Sequence, residues 1–141
     1  RTWSIFRATW IWMTADYRDS AKLQGVYYES LFTTECLKRG ISVSHPVGDY
    51  LPFDVITDSR NGLKKVQIKG TAYLQGSGYK FLFGQYAAKD FDFIAAYVDA
   101  PDIRTWYVFP HTGRARTVKL YPQNPRSKGR YESFKSAFHL L

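Results

Sequence analysis

The sequence predicts one α/β domain, an α+β arrangement with elements in the order helix, strand, hairpin, strand, strand, helix. Three observations lead to this prediction. An amphipathic stretch runs from residue 16 to 39, the dipeptide Asn61-Gly62 separates two strand-like runs, and residues 91–98 are almost continuously apolar. These patterns are typical of a helix, a hairpin and a central strand, respectively.

Length and composition are those of one folded, basic domain. The chain has 141 residues, of which 45% are hydrophobic and 18% aromatic. This is enough apolar surface for a buried core, and it excludes a disordered chain. A total of 20 Lys and Arg against 12 Asp and Glu gives a net charge of +8, which favours a polyanionic partner. Basic binding proteins share this charge, so it does not by itself indicate an enzyme.

The N-terminal residues 1–12 are unusual, because they hold three of the four tryptophans and precede the only methionine, Met13. Two interpretations stay open: a non-native extension of a domain that covers 13–141, or a short element whose tryptophans pack on the domain. The long apolar core and cleavage site of a signal peptide are missing, and no apolar run has the roughly 20 residues of a membrane span. The single Cys36 excludes an internal disulfide, so we expect a reducing, cytoplasmic setting and a buried Cys36.

The segment from Asp16 to Arg39 predicts the first helix. Asp and Ser side chains near its start are suited to capping, and Gly40 is a typical stop. Spacings of three and four predict the face that is turned to the core, formed by Leu23, Val26, Tyr27, Ser30, Thr34 and Leu37. Residues 41–45 then alternate as a short strand, followed by a loop that leads into the hairpin.

The hairpin carries the most informative side chains. Asn61 and Gly62 both tolerate φ > 0, so we expect them to form a two-residue loop. The expected opposite pairs are Asp54 with Lys69, Ile56 with Gln67, and Asp58 with Lys65. Alternation along the strands then gathers polar side chains on one face and apolar ones on the other: Asp54, Gln67 and Lys69 against Phe53, Val55, Val66 and Ile68.

The second half of the chain predicts the remaining elements. Residues 73–79 form a glycine-rich reversal, residues 91–98 a central strand covered on both faces, and residues 105–109 a further strand stopped by Pro110. A basic segment, 114–130, leads into a final helix over 131–141, on which Phe134, Phe138 and Leu141 line up.

An acid, an amide oxygen and an ammonium group on one strand face indicate metal-assisted phosphodiester hydrolysis. Divalent metals bind oxygen ligands and polarise the phosphate. Asp54 can supply a carboxylate, and the Gln67 side chain or the Ile68 carbonyl can complete the ligand set. Lys69 has no acceptor, so its expected role is to orient the attacking water and stabilise developing charge. The alternative is a plain cross-strand ion pair, worth under about 1 kcal/mol.

Glu29 is a second candidate carboxylate. It lies in the middle of the predicted helix, one turn after Gly25, which leaves room for another backbone or a phosphate to approach. The alternative is an ordinary solvated helix glutamate.

The pattern of candidate residues resembles the PD-(D/E)XK, or restriction-endonuclease-like, nuclease superfamily. It consists of Glu29, Asp54 after a proline-bearing loop, and Gln67-Ile68-Lys69 on the next strand. The pattern is similar to the cyanobacterial group I intron homing endonuclease that carries Pro-Asp and Gln-x-Lys. Here the proline is at position 52, one residue further from the aspartate. The resemblance extends through 91–98, 106–110 and 131–141, and so covers the chain from about Asp16 to the end.

The resemblance implies a mixed four- to five-stranded sheet flanked by helices, and a Mg2+-dependent, sequence-specific endonuclease for double-stranded DNA, with Mn2+ as a substitute. It implies Glu29, Asp54, Gln67 and Lys69 as catalytic residues and Asp54, Gln67, Ile68 and Glu29 as metal ligands. A homodimer or homotetramer is expected, since cutting both strands requires two sites. Two alternatives stay open: a structure-selective nuclease of the Holliday-junction-resolvase type, or an inactive DNA-binding relative in which Gln67 has replaced the usual carboxylate.

Positive, amide and aromatic side chains near the hairpin predict the DNA contacts. These are Lys64, Lys65, Tyr73, Gln75, Lys80, Gln85 and Lys89. A second basic stretch, with Arg114, Arg116, Lys119, Arg126, Lys128 and Arg130, predicts a surface that follows phosphates. We expect Asp90 and Asp92 to have structural roles, and His45, His111 and His139 to be exposed loop or helix-end residues because they lack ligand spacing.

Overall fold

The computed structural model describes residues 16–114, 116–123 and 129–141. The predicted extension 1–12 and Met13 lie outside these residues, as do Arg126 and Lys128. Within them, the helical elements are α1 (Ala21–Lys38) and 3-10 turns at Tyr17–Asp19, Glu132–Phe134 and Phe138–Leu140. The strands are β1 (Ser42–Ser44), β2 (Val55–Ser59), β3 (Gly62–Thr71), β4 (Leu74–Gln75), β5 (Gly78–Leu82), β6 (Phe93–Asp99), β7 (Arg104–Pro110) and β8 (Thr117–Leu120).

The strands form two sheets. The main sheet has the order β1-β2-β3-β6-β7, with β3 and β6 parallel and the other neighbours antiparallel. This mixed five-stranded sheet confirms the predicted fold class. A second sheet, β4-β5-β8, was not predicted. It forms because the glycine-rich reversal is itself a hairpin with Gly76 at φ +65°, and because part of the basic stretch adds β8 beside β5.

The two faces of the main sheet are covered by different layers. On one face α1 packs Phe32 and Cys36 against strand residues such as Val66 and Val108. On the other face the small sheet packs Phe81, Val118 and Leu120 against Ile94 and Ala96. Strand β6 is therefore buried on both sides, as its apolar run predicts.

The predicted core-facing stripe of α1 was wrong. The helix buries Tyr28, Phe32 and Cys36, which are spaced four residues apart, whereas Leu23 and Leu37 are 49% and 62% exposed. Both stripes are apolar in sequence. Packing of the aromatic stripe against the sheet decides between them, and Cys36 is buried as expected.

The predicted hairpin register was also wrong, by two residues. Ser59 pairs with Gly62 and Val55 with Val66, so the loop is Arg60-Asn61 and Asp58 lies opposite Leu63. The reason is that Gly62 adopts the positive φ, at +89°, while Asn61 does not. A shift of two leaves the strand faces unchanged. Phe53, which precedes β2, nevertheless packs on the opposite side from Val55, against the cluster under the small sheet.

The final segment is not the α-helix that its apolar spacing predicts. Two 3-10 turns are separated by Lys135, which pairs with Tyr107, and by Ser136, which donates its N–H to the carbonyl of Trp106 at 2.8 Å. Ser136 has φ +53°, which no α-helix allows. The segment therefore pairs with β7, and its Phe138 and Leu141 are still buried.

Among the described residues, no helix has the length and apolar character needed to cross a membrane.

Candidate functional site

Asp54 lies at the entrance to β2, beside the middle of β3. Its N–H donates to the Val66 carbonyl at 2.9 Å, and its carboxylate accepts the N–H of Ile68 at 2.7 Å. Burial raises the pKa of Asp54, while the Ile68 N–H and the Lys69 ammonium act to lower it. The carboxylate is thus held against β3 at a position that is half-buried.

Glu29 on α1 lies near enough to Asp54 for the two charges to interact. Burial raises its pKa first, the nearby Asp54 carboxylate raises it further, and His45 opposes the shift. Two half-buried carboxylates from different elements therefore repel one another across the gap between helix and sheet. A bound cation would relieve that repulsion.

Gln67 and Lys69 lie on one face of β3, as predicted. In the parallel pairing they are beside Ile94 and Ala96, which belong to the core under the small sheet. Gln67 is buried, with 7% of its surface exposed, and Lys69 is half-buried. The ion pair between Lys69 and Asp54, which was the alternative to a metal site, is not formed. In the observed register Val55 pairs with Val66. Continuing that register by one residue places Gln67, and not Lys69, opposite Asp54.

These donors are the kind that a divalent cation of the Mg2+ type prefers: carboxylate, amide and carbonyl oxygens. Within the described residues, no group of three or more His, Cys, Asp or Glu side chains is gathered. At such a site Glu29 and Asp54 would supply the two carboxylates, and the neutral side chain of Gln67 would have to supply a further oxygen. The residues present fit a cation with oxygen ligands better than one with nitrogen or sulfur ligands.

Three residues that the sequence did not single out support this arrangement. Tyr28, which precedes Glu29, packs closely on Gly70, which follows Lys69. A β-carbon on residue 70 would lie 2.3 Å from the Tyr28 ring. The Tyr28 hydroxyl donates to Asp99 at 3.1 Å. Asp99, whose side chain is 3% exposed, also accepts from Tyr17 at 2.7 Å and pairs with Arg104.

The hydrogen bond to Asp99, assisted by burial, raises the pKa of Tyr17 to about 12. A glycine and a tyrosine far apart in sequence give no signal that they touch. An acidic residue at the end of an apolar strand, such as Asp99, is the one feature that could have suggested a buried polar contact.

The predicted DNA-contact residues do not form one element. Tyr73 and Gln75 are exposed on the β4-β5 hairpin, with half-buried Lys80 on β5, while Gln85 and Lys89 are exposed in the loop before β6. Lys64 and Lys65 are half-buried on β3. Lys65 is engaged within the protein, because its ammonium donates to the Lys89 carbonyl at 3.3 Å and lies 5.7 Å from the centre of the Phe53 ring.

The structural roles expected for Asp90 and Asp92 are confirmed. Asp90 accepts the N–H of Ala87 at 2.7 Å and Asp92 that of Lys65 at 2.8 Å. His45 is exposed in the loop after β1, as expected, but it lies close enough to affect the pKa of Glu29. His111 differs from the expectation, because its ring stacks on Phe91 with centroids 3.9 Å apart and is half-buried.

Comparisons with known proteins agree with this geometry. A family model described as PD-(D/E)XK endonuclease matches residues 20–140. Among solved structures, the chain is similar to the bacterial homing endonuclease I-Ssp6803I, with a TM-score of 0.71 and 28% identity over 86% of this chain and 92% of that one. No curated protein matches the chain. The predicted restriction-endonuclease-like fold and the predicted resemblance are both confirmed, and the chain belongs to the PD-(D/E)XK endonuclease family.

Proposed function

We propose that this protein is a Mg2+-dependent, sequence-specific endonuclease for double-stranded DNA, of the homing-endonuclease kind. The observation that carries the proposal is the Asp54 carboxylate, which the Ile68 N–H holds against β3 at 2.7 Å, with Glu29 on α1 near enough for the two charges to interact. The site is flanked by Gln67 and Lys69 and belongs to a chain of net charge +8. The similarity to a homing endonuclease supports the finer assignment.

In this proposal Glu29, Asp54, the Gln67 side chain and the Ile68 carbonyl hold Mg2+, for which Mn2+ can substitute. When bound, the metal polarises the phosphate and lowers the pKa of a water. Asp54 keeps its ligand position because the Ile68 N–H holds one of its oxygens. The Ile68 carbonyl, in the next peptide group along β3, is the neighbouring ligand in this proposal.

Lys69 is assigned to the attacking water and to the charge that develops on the phosphate. Its ammonium makes no hydrogen bond or ion pair with another described residue. Its three N–H donors are therefore available to water and phosphate oxygens. Placed in a half-buried position, such a donor stabilises transition-state charge more than it would in bulk water.

DNA contacts are assigned to Tyr73 and Gln75 on the exposed hairpin and to the basic side chains around the site, Lys64, Lys65, Lys80 and Lys89, with Gln85. Cutting both strands requires two sites, so the protein is proposed to act as a homodimer or homotetramer. The exposed apolar side chains Leu23, Val26 and Leu37 on α1 offer a surface for that contact. A single domain over 13–141 and a cytoplasmic location complete the proposal.

Plasmid nicking with and without Mg2+ tests the activity. We expect wild type to cut only with metal, and Asp54→Ala and Lys69→Ala each to lose at least about a hundredfold in rate. DNA affinity should change little, because phosphate contacts spread over the basic surface supply most of it. The exposed Lys22→Ala is the control for loss of one positive charge. Cleavage by Lys69→Ala at the rate of Lys22→Ala would remove Lys69 from the site.

Specificity is tested separately, by digesting a randomised DNA library with Mg2+ and sequencing the ends. A shared sequence at the ends supports the homing-endonuclease assignment. Cleavage of a four-way junction without any shared sequence would assign the alternative, a resolvase-like enzyme. Binding without cleavage in any metal would identify an inactive relative.

A further inference from the structure

A cavity bordered by three arginines lies apart from the candidate site. It has a volume of about 580 Å³ and is lined by Thr112, Arg114, Arg116, Thr117, Arg130 and Tyr131. These residues come from the connection between β7 and β8, the start of β8 and the approach to the last 3-10 turns. None of the lining residues is acidic, and none belongs to the candidate site.

The three guanidinium groups have no carboxylate partners in the part of the chain that the structure describes. The described ion pairs use other residues, such as Arg39 with Glu35 and Arg104 with Asp99. Arg130 makes a ring contact, with its guanidinium carbon 5.8 Å from the centre of the Tyr131 ring. Three like charges around one cavity repel each other, and an anion in the cavity would offset that repulsion.

Phosphate is the anion that these side chains match. Guanidinium groups present a planar fork of donors that fits phosphate oxygens in pairs. Thr112 and Thr117 add hydroxyl donors at the same cavity. The three arginines are exposed at the surface, so a phosphate group can reach their guanidinium donors from solvent.

The basic surface continues beyond the cavity. Lys80 and Lys119 lie directly opposite each other in the small sheet, a like-charge pairing that costs free energy unless an anion is close. Lys119 also shares an adjoining cavity with Arg130 and Tyr131. A band of five positive side chains is better suited to an extended polyanion than to a single phosphate ion.

The band lies on the side of the main sheet to which Gln67 and Lys69 belong, opposite the side covered by α1. Gln67 and Lys69 are beside Ile94 and Ala96, whose cluster is covered by the small sheet that carries β8. Ile94, Arg130 and Tyr131 line a further cavity of about 230 Å³. The arginines and the β3 residues Gln67 and Lys69 therefore border the same layer of the protein.

We propose that Arg114, Arg116 and Arg130 form a phosphate-binding pocket that holds a backbone phosphate of duplex DNA at a distance from the phosphate that is cut. The pocket deepens the proposed function and rests on it for the identity of the polyanion. It serves as an anchor that sets the position of the duplex, since phosphate contacts fix register without reading sequence.

The test is the salt dependence of duplex binding, measured by fluorescence anisotropy in EDTA so that no cleavage occurs. Between about 50 and 200 mM salt, the slope of log Kd against log salt falls by roughly 0.9 for each phosphate that the protein no longer neutralises. We expect the variant with Arg114→Ala, Arg116→Ala and Arg130→Ala to show a slope smaller by about one to two units. Lys22→Ala on α1 should stay close to wild type. Equal slopes for the triple variant and Lys22→Ala would overturn the pocket.

Two further arms separate the possible outcomes. Ethylation interference should identify a phosphate, away from the cut position, whose ethylation weakens binding by wild type. This interference should be absent in Arg130→Ala. Calorimetry tests whether wild type and the triple variant bind inorganic phosphate. If wild type binds it, the triple variant does not, and both bind the duplex with the same salt slope, the pocket holds a free phosphate and the DNA assignment is overturned. Plasmid nicking is measured separately. If the proteins bind the duplex with the expected slopes but wild type does not cut, the proposed activity is wrong and the pocket is still supported.

Discussion

The ring of Tyr28 fills the space that a β-carbon on residue 70 would need, since that carbon would lie 2.3 Å from Tyr28 Cε2. The contact lies one residue before Glu29 and one residue after Lys69. Because the Tyr28 hydroxyl also donates to buried Asp99, the helix is held to the sheet at this point by both shape and hydrogen bonding. The distance between the Glu29 backbone and β3 therefore depends on a glycine at position 70.

Gly70→Ala is expected to destabilise the fold and to impair cleavage. The added methyl forces Tyr28 and α1 away from β3, at a cost of about 1 to 3 kcal/mol. Thermal unfolding and the nicking rate measure the two effects, and Mg2+ affinity should fall because Glu29 moves with the helix.

Gly25→Ala is the matched control. Nothing lies within 4 Å of a β-carbon built on Gly25, which is in the interior of α1. Alanine there should stabilise the helix by up to about 1 kcal/mol. If both glycine variants raise Tm, the close contact at position 70 does not constrain the helix.

Glu29→Gln is expected to stabilise the metal-free protein at neutral pH. Burial and the Asp54 carboxylate raise the pKa of Glu29 above its unfolded value, so its ionised form costs free energy in the fold. This cost is complete above the raised pKa and disappears as pH falls towards the unfolded pKa. Solvent screening limits the gain to about 0.5 kcal/mol, which should be visible as a higher Tm at pH 7 that converges with wild type in acid.

Glu35→Gln on the same helix should change stability in the opposite direction. Hydrogen bonding to Arg39 lowers the pKa of Glu35, so the ionised carboxylate contributes stability above its unfolded pKa and loses it as pH falls. We expect a loss of about 0.3 to 0.5 kcal/mol at pH 7. A lower Tm for Glu29→Gln as well would show that the Glu29 carboxylate is not repelled in the metal-free site.

Gln67 distinguishes this site from the usual acidic pattern of the family. A neutral amide offers an oxygen without charge, so its attraction for Mg2+ is weaker than that of a carboxylate. Gln67→Ala should reduce cleavage severely and raise the Mg2+ concentration required. Gln67→Glu should keep partial activity at lower Mg2+, and it should lower Tm without metal because the position is 7% exposed. An unchanged Mg2+ titration for Gln67→Ala would remove Gln67 from the site.

Val26→Glu tests the proposed contact between copies of the chain. Val26 is 57% exposed on α1, so a charge there should leave the fold intact and disrupt an apolar interface. We expect light scattering to give a mass of two or four chains for wild type and of one chain for the variant, with cleavage reduced to nicks. The same mass for both proteins would exclude this face of α1 as the interface.

Local chemistry was sufficient to predict several features. The apolar run at 91–98 predicted a strand that the structure buries on both faces, and alternation predicted that Gln67 and Lys69 share a face. Such features depend on neighbours in sequence, and they survived a register error of two residues because side chains alternate with a period of two.

The sequence by itself determined the class of fold, the strand that carries Gln67 and Lys69, and a family resemblance that the comparisons confirm. Tertiary structure alone decided which apolar stripe of α1 is buried, that residues 132–140 form 3-10 turns beside β7, and that Tyr28 meets Gly70. The reason is physical. Apolar residues specify that a face is buried but not which partner buries it, and close approaches such as Tyr28 on Gly70 arise only when distant segments pack together.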